Sequence, residues 1–464
     1  MTKKKTGIFK NNSNLQLPVL IDNNNKTLKI NLEGIFLIDQ DGNYQLYPFQ
    51  TVIGFEKINK SFNYLNLVTS YKNIYNENTD DINISKIKIQ FLSIFDISKC
   101  LSSFRLYLGR QPCKDIFVII NPNSGVGNAK SIYNQYVNPL LLAAGYNPKT
   151  YETKLPLDAY NIIKDMNINN LDAIVSVGGD GLLHEIVDGL LKNKNPNAVL
   201  TSLMVIPGGS SNGIASSIAY SQKCNIKISS ICNLLVTALV NGRTIKSDIV
   251  LLQQPVNSNS IPVLTPLVQS LSLGLVSDID IESEYYKFLG KFRFDLCALL
   301  KIFRNKCRRV KLHYRPLTVE HSNIELDKET EFIPPSGWKT IEESMSFLWI
   351  MNVTHAGENM IPTPKCKFNN GTVQILYVPQ CSFLSLISNF LSINNPNAIL
   401  TCAKIIETSE FVVVPCDNDG IMCVDGEALG WGNSNYLSHK SNNLQLNYGI
   451  TYGKIHESFL RLIG

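Results

Sequence analysis

Residues 173–187 read Ala173-Ile174-Val175-Ser176-Val177, then Gly178-Gly179-Asp180-Gly181, then Leu182-Leu183-His184-Glu185-Ile186-Val187. The first five are apolar and mostly β-branched, the pattern of a strand buried on both faces. The glycines permit a sharp turn and close backbone approach. The last six open a helical stretch that runs to about Leu191. The same strand, loop and helix unit stands on either side. Upstream, Ile116-Phe117-Val118-Ile119-Ile120 leads into Asn121-Pro122-Asn123-Ser124-Gly125-Val126-Gly127 and a helical stretch near Ala129–Ala144. Downstream, Leu203-Met204-Val205-Ile206 leads into Pro207-Gly208-Gly209-Ser210-Ser211 and a helix from about Asn212. Three such units predict a parallel, helix-flanked sheet with its loops gathered at the C-terminal ends of the strands.

Glycine loops between a strand and a helix let backbone N–H groups approach phosphate oxygens near a positive helix end. One such loop is an ordinary turn, but three in register on successive units point to a nucleotide. A Walker A box is missing, since Gly125-Val126-Gly127-Asn128-Ala129-Lys130-Ser131 lacks its spacing. A G-x-G-x-x-G opening a helix is missing too, so hydride chemistry has no support. His184-Glu185 has no second histidine at zinc-protease spacing.

The flanks read differently. Residues 1–26 are polar and basic and are expected to be a disordered lead. Between Thr27 and Phe91, short alternating stretches such as Leu28-Lys29-Ile30 and Ile87-Lys88-Ile89 predict strands and turns. A helical spacing follows at Phe95, Leu101, Phe104 and Leu108. Residues 27–110 thus form a β-rich module resembling a pleckstrin-homology fold. An α/β domain is expected over 111–242, and an antiparallel β-sandwich over 243–464 whose last strands return to the α/β domain. Within that half, a helix is expected at Ser283–Lys306, a surface loop at Thr318–Ser344, and paired strands over Val412–Val424.

The chain has 464 residues, 44% hydrophobic and 17% charged, as in a globular protein. A formal net charge of +5 is small for this length and does not suggest nucleic acid. Eleven cysteines without a C-x-x-C pair fit a reducing compartment. Met1-Thr2-Lys3-Lys4-Lys5 leads into no apolar signal region, and no apolar run reaches the roughly 20 residues that span a bilayer. A cytoplasmic protein that visits the membrane periphery is expected.

The three loops in this order resemble the diacylglycerol kinase catalytic domain of lipid kinases. Gly178-Gly179-Asp180-Gly181-Leu182-Leu183-His184-Glu185 is similar to the sphingosine kinase version of the second loop. Ser277-Asp278-Ile279-Asp280-Ile281-Glu282-Ser283-Glu284, followed by Leu289-Gly290 and Arg293-Phe294, is a second match, and Val424-Asp425-Gly426-Glu427 a third. The resemblance implies an ATP-dependent kinase that phosphorylates the primary hydroxyl of a sphingoid base, with Mg²⁺. Asp180 would be the catalytic base. Asn121, Pro122, Asn123, Thr153, Gly179, Glu185, Gly209, Ser210, Ser211, Lys287, Arg293, Asp425, Gly426 and Glu427 would surround the nucleotide. Gly178, Gly181, Ser270, Asp278 and Asp280 would meet the lipid, with Asp280 on its ammonium. Metal ligands are not assigned, and a homodimer is left open.

Several alternatives stand. Asp180 would also serve as a helix cap. Asp278, Asp280, Glu282 and Glu284 also read as the polar side of an alternating strand running into a helix. The acceptor could be diacylglycerol or ceramide, although a carboxylate in an apolar tunnel favours a cationic head group. A non-catalytic lipid-binding scaffold would keep the same fold. The chain departs from the family pattern at three points. Lys287 stands where an arginine is usual and lacks its bidentate fork. Ser211 stands where glycine is usual, at a cost of about 1 kcal/mol if φ is positive there. The histidine usual before Ala159 is missing.

Overall fold

The computed structural model describes residues 15–57, 64–72, 82–108, 115–169, 171–255, 264–283, 285–286, 292–304, 306–321, 324, 326, 331–395, 397, 400–417, 420–431 and 448–464.

The N-terminal module has seven strands, β1 (Leu15–Ile21), β2 (Asn24–Ile30), β3 (Gly34–Ile38), β4 (Tyr44–Pro48), β5 (Val52–Lys57), β6 (Tyr64–Lys72) and β7 (Ile82–Phe91), then α1 (Ile94–Leu108). They form one sheet in the order β4-β3-β2-β1-β7-β6-β5, and the pairings are antiparallel. β1 lies inside the stretch expected as a disordered lead. Leu17, Val19 and Ile21 alternate along it and are buried. Their partners in β2 and β7 come later in the chain, so the expectation is corrected for 15–26. Residues 1–14 lie outside the described residues. The module sits against the next domain: Ile53 and Val68 belong to that domain's core, and Asn241 Nδ2 donates to Gln50 O at 2.9 Å.

The α/β part follows as β8 (Asp115–Ile120), α2 (Ala129–Ile132), α3 (Asn138–Ala143), β9 (Asn147–Glu152), α4 (Asp158–Asp165), β10 (Leu171–Gly178), α5 (Asp180–Leu191), β11 (Ser202–Pro207), α6 (Gly213–Ser221) and α7 (Ile228–Val240). β9, β8, β10 and β11 pair in parallel in that order. β8, β10 and β11 are buried on both faces, as their unbroken apolar runs require.

The remainder contains β12 (Thr244–Gln253), β13 (Thr265–Leu267), β14 (Ser270–Gly274), α8 (Leu275–Glu282), α9 (Phe292–Arg304), β15 (Arg308–Tyr314), β16 (Lys339–Met351), β17 (Val373–Pro379), α10 (Phe383–Ser392), β18 (Lys404–Thr408), β19 (Glu410–Pro415), β20 (Ile421–Val424), β21 (Glu427–Trp431) and β22 (Thr451–Ile463). Most of these strands share one apolar core that includes Leu252, Leu273, Leu312, Ile350, Ile375, Phe411 and Val424. β22 pairs in parallel with β11 and antiparallel with β12 and β19, so a single sheet runs through both halves.

Four local expectations change. β16 begins at Lys339, inside the surface loop expected over Thr318–Ser344, because Lys339–Met345 pair with β15. Residues 275–282 form a helix, not an alternating strand: Leu275 and Ile279 pack on one side at helical spacing, among Cys297, Ile302, Phe347 and Trp349. Within the expected helix Ser283–Lys306 the described residues include α9, joined to α8 by a Lys301–Glu282 ion pair, while residues 284, 287–291 and 305 lie outside the described residues. The strands over Val412–Val424 do not pair with each other. β19 joins β15 and β22, whereas β20 joins β14 and β21. Among the described residues no helix is long and apolar enough to cross a membrane.

Candidate active site

The three glycine loops lie against one another backbone to backbone. Asn121 N–H donates to Val177 O at 3.0 Å, and Gly208 N–H to Gly178 O at 2.9 Å, which continues the sheet pairing into the loops. Gly179 N–H donates to Ser124 Oγ at 3.1 Å, and Asn123 N–H to Asn121 Oδ1 at 3.0 Å. A Cβ on Gly209 would lie 2.3 Å from Gly179 Cα. No side chain fits there, which accounts for glycine in both loops.

The third loop is closed by Asn212. Its Oδ1 accepts from Gly209 N–H at 2.7 Å, and its Nδ2 donates to Gly209 O at 3.0 Å and to Glu358 Oε1 at 2.9 Å. Asn212 itself has φ +56°, a conformation asparagine adopts more readily than most residues. Ser211 is not left-handed, so the expected cost of serine there does not arise.

Asp180 is the first residue of α5 and is 8% exposed. Gly213 N–H donates to its Oδ2 at 2.8 Å and Ile214 N–H to its Oδ1 at 3.1 Å. It therefore caps a helix, but that helix is α6, in the next unit. Burial pushes its pKa up to about 6; the two N–H groups pull it down, and the Asp425 charge adds to the rise. A carboxyl with that value changes protonation near neutral pH, as a general base requires.

One turn further on, Glu185 accepts from Leu157 N–H at 3.1 Å and Ala159 N–H at 3.2 Å, which caps α4 and anchors the segment after Thr153. Burial raises its pKa despite these bonds. Thr153 is buried and its N–H donates to Ile120 O at 2.9 Å. Both residues act on the chain beneath the loops.

Asp425 is 2% exposed. Its carboxylate accepts from Val268 N–H at 3.0 Å, Gln269 N–H at 2.7 Å and Ser270 N–H at 3.0 Å, and Oδ2 lies 2.8 Å from His184 Nδ1. A carboxylate enclosed by four protein partners does not face a nucleotide, and that expectation is corrected. Its neighbours Gly426 and Glu427 are exposed. A Cβ on Gly181 would lie 2.7 Å from Glu427 Oε1, and a Cβ on Gly426 would lie 3.7 Å from Asp280 Oδ2.

The two acidic residues of α8 separate. Asp278 is buried and pairs with Arg308 at 3.4 Å, so its charge is balanced inside the protein. Burial still raises its pKa, opposed by Arg308. Asp280 is half-buried at the Gly426 turn. Lys287 and the side chain of Arg293 lie outside the described residues. Leu275, Phe294, Leu386, Ile387 and Phe390 share one apolar cluster beside α8, while Leu271 and Leu273 belong to the sheet's core.

The loop after β16 supplies groups that sequence reading missed. Glu358 reaches Asn212, and Gln269 Nε2 donates to His355 O and Ala356 O at 3.2 Å each. His355 is fully buried beside Thr354, and burial lowers its pKa to about 4, so it stays neutral. The only sequence signal was a polar Thr354-His355-Ala356-Gly357-Glu358 segment directly after an apolar strand.

Residues 115–250 match the model of the diacylglycerol kinase catalytic domain. Sphingosine kinase 1 of Arabidopsis thaliana is 29% identical over 366 residues, covering 71% of this chain and 71% of that protein. Sphingosine kinase 1 of Homo sapiens is 27% identical over 346 residues, covering 69% and 87%. A crystal structure from Bacillus anthracis, described as a diacylglycerol kinase, superposes with a TM-score of 0.51 at 18% identity, covering 75% of this chain and 97% of that one. It shares the fold.

Proposed function

We propose that this chain, which carries a diacylglycerol kinase catalytic domain and is homologous to sphingosine kinases, transfers the γ-phosphate of ATP to the primary hydroxyl of a sphingoid base. The observation that carries the reading is Asp180. Its carboxylate is buried where the three loops meet, with its pKa pushed up to about 6.

Phosphoryl transfer asks little covalent chemistry of the protein and much positioning. The backbone of Asn121–Asn123, Gly178–Gly179 and Gly209–Ser211 cradles the phosphates at the N-terminal ends of α5 and α6. Arg293, and Lys287 near it in sequence, add positive charge. Asp180 accepts the proton of the attacking hydroxyl. Asp280, beside the Gly426 turn, holds the ammonium of the sphingoid base, with Ser270, Gly178 and Gly181 lining the approach. Glu427 at Gly181 sits where it can orient either substrate. Mg²⁺ would ride on the ATP phosphates and neutralise their charge. The described residues contain no group of three or more His, Cys, Asp or Glu arranged to hold it alone.

The lipid tail enters among α8, α9, α10, β16 and β17. The outer side of that region carries Phe303, Leu384 and Leu391, exposed at 77%, 75% and 69%, with Arg304 on the same helix as Phe303. An apolar surface with a cation at its edge fits peripheral contact with an anionic membrane. The domain division is taken as a pleckstrin-homology-like module up to residue 110, the α/β domain to 242, and a β-sandwich lipid-binding domain beyond it, with β22 returned to the α/β sheet.

The test is incubation of the purified protein with labelled ATP, Mg²⁺ and separate vesicles of sphingosine, dihydrosphingosine, phytosphingosine, ceramide and diacylglycerol. Label in the sphingoid bases alone is expected. No label in any lipid would sink the kinase reading, and label in diacylglycerol or ceramide would move the substrate.

A further inference from the structure

His184 lies one helical turn beyond Asp180 on the same face of α5. Its side chain is 5% exposed and that of Asp425 is 1% exposed. Asp425 in turn closes the chain between β13 and β14. Its carboxylate accepts three consecutive N–H groups, from Val268 to Ser270, and its own N–H donates to Ser270 O at 2.9 Å. β14 runs directly into α8, which carries Asp280. The residues after Asp425 touch both sides of the cleft, Gly426 beside Asp280 and Glu427 beside Gly181. One turn, residues 425–427, therefore spans from the loop of the base to the helix of the head-group acid, and a single side chain of α5 pins it.

Resting on the kinase reading above, we infer that His184 is a positioning residue for phosphoryl transfer, holding the Asp425–Glu427 turn so that Asp180 and Asp280 keep a fixed separation.

The pair also has an electrostatic side. Burial pulls the imidazole pKa of His184 down, but the hydrogen bond and charge of Asp425, with neighbouring carboxylates, together outweigh it, so the ring sits above its ordinary value. Asp188 on the same helix and Glu427 on the turn add to that rise. Asp180 is faced by the Gly213 and Ile214 N–H groups and by the Asp425 charge, which raises its pKa. A protonated His184 offsets that charge. Removing it leaves Asp425 uncompensated, and Asp180 then holds its proton to higher pH.

The experiment measures kcat, KM for sphingosine, KM for ATP and the pH profile of kcat for wild type, His184→Phe and His184→Asn. His184→Phe keeps a flat ring, somewhat larger, without the hydrogen bond, and kcat is expected to fall about tenfold or more with KM for ATP nearly unchanged. His184→Asn places an amide donor near the position of Nδ1. It is expected to recover most of kcat at pH 8 to 9 while the acid limb stays displaced to higher pH, because the amide carries no charge. Unchanged kcat in His184→Phe overturns the inference. So does an equal loss in both variants accompanied by an equal fall in Tm, which marks a purely structural role. If His184→Phe does not fold, an unmoved acid limb in His184→Asn overturns it alone. An inactive wild type instead removes the kinase reading, and this inference falls with it.

Discussion

The Oδ2 atom of Asp180 lies 2.8 Å from the N–H of Gly213, so the carboxylate assigned as base also terminates the helix of the third loop. Two loops of the site are thereby held by one side chain. Asp180→Asn is expected to abolish turnover, by a factor on the order of a thousand, while the protein stays folded. The folded pKa of about 6 lies above the 3.8 of an ordinary aspartate, so ionised Asp180 lowers stability above pH 6 and this penalty vanishes below pH 4. Asparagine mimics the protonated acid. Tm of Asp180→Asn should match or exceed wild type at pH 8, and the advantage should shrink toward pH 4. Activity retained in this variant would remove the assignment of the base.

The same value sets the pH dependence of the wild type. The base works deprotonated, so kcat should climb through about pH 6 and level off above it. A profile flat from pH 5 to 8 in saturating ATP and lipid would contradict a titrating Asp180.

Asp278 and Asp280 should separate cleanly. Asp278→Asn leaves Arg308 buried without its partner, at a cost of about 3 kcal/mol. Chemical denaturation should show that loss with sphingosine still preferred over ceramide. Asp280→Asn should do the reverse: little change in stability, and at least about tenfold loss in kcat/KM for sphingosine. Equal effects in both assays would mean that the acidic pair works as one unit.

Gly54 reports on how the N-terminal module is seated. A Cβ at that position would lie 1.9 Å from Ala143 O in α3. Gly54→Val should therefore cost about 2 kcal/mol or more and lower Tm, through overpacking at the seam with the α/β domain. An unchanged Tm would show that the module does not rest there.

Phe303→Asp and Leu384→Asp test the membrane face. Each places a charge on an exposed apolar site and should reduce co-sedimentation with anionic vesicles severalfold. Turnover of sphingosine in detergent micelles should stay near wild type. Equal vesicle binding in all three proteins would exclude this surface as the contact.

Periodicity located the α/β core because β8, β10 and β11 are apolar on both faces and each leads into a loop that carries glycine, a signal that needs no partner to be read. The same reasoning failed at β1. Its Leu17, Val19 and Ile21 are as regular as any strand's, but they sit in a polar leader and find their core only through β2 and β7. α8 was read with a strand as one option because Asp278, Asp280, Glu282 and Glu284 alternate, although Leu275 and Ile279 also fit a helix. Both periods are present over so short a stretch, and packing against Phe347 and Trp349 selects one.

The amino-acid sequence by itself showed an acid set among the glycines of the second loop. Glycines at 178, 179 and 181 leave Asp180 as the one acidic side chain of that loop, which the sequence shows directly. It could not reveal what Asp180 caps, because Gly213 and Ile214 lie in a different unit. Nor could it show that Asp425 is enclosed by His184 and the N–H groups of Val268, Gln269 and Ser270. Those contacts join residues about 155 and 241 positions apart in the chain. Such distant pairs meet only when the sheet closes, and burial then encloses a residue that reads as a nucleotide ligand among four protein partners.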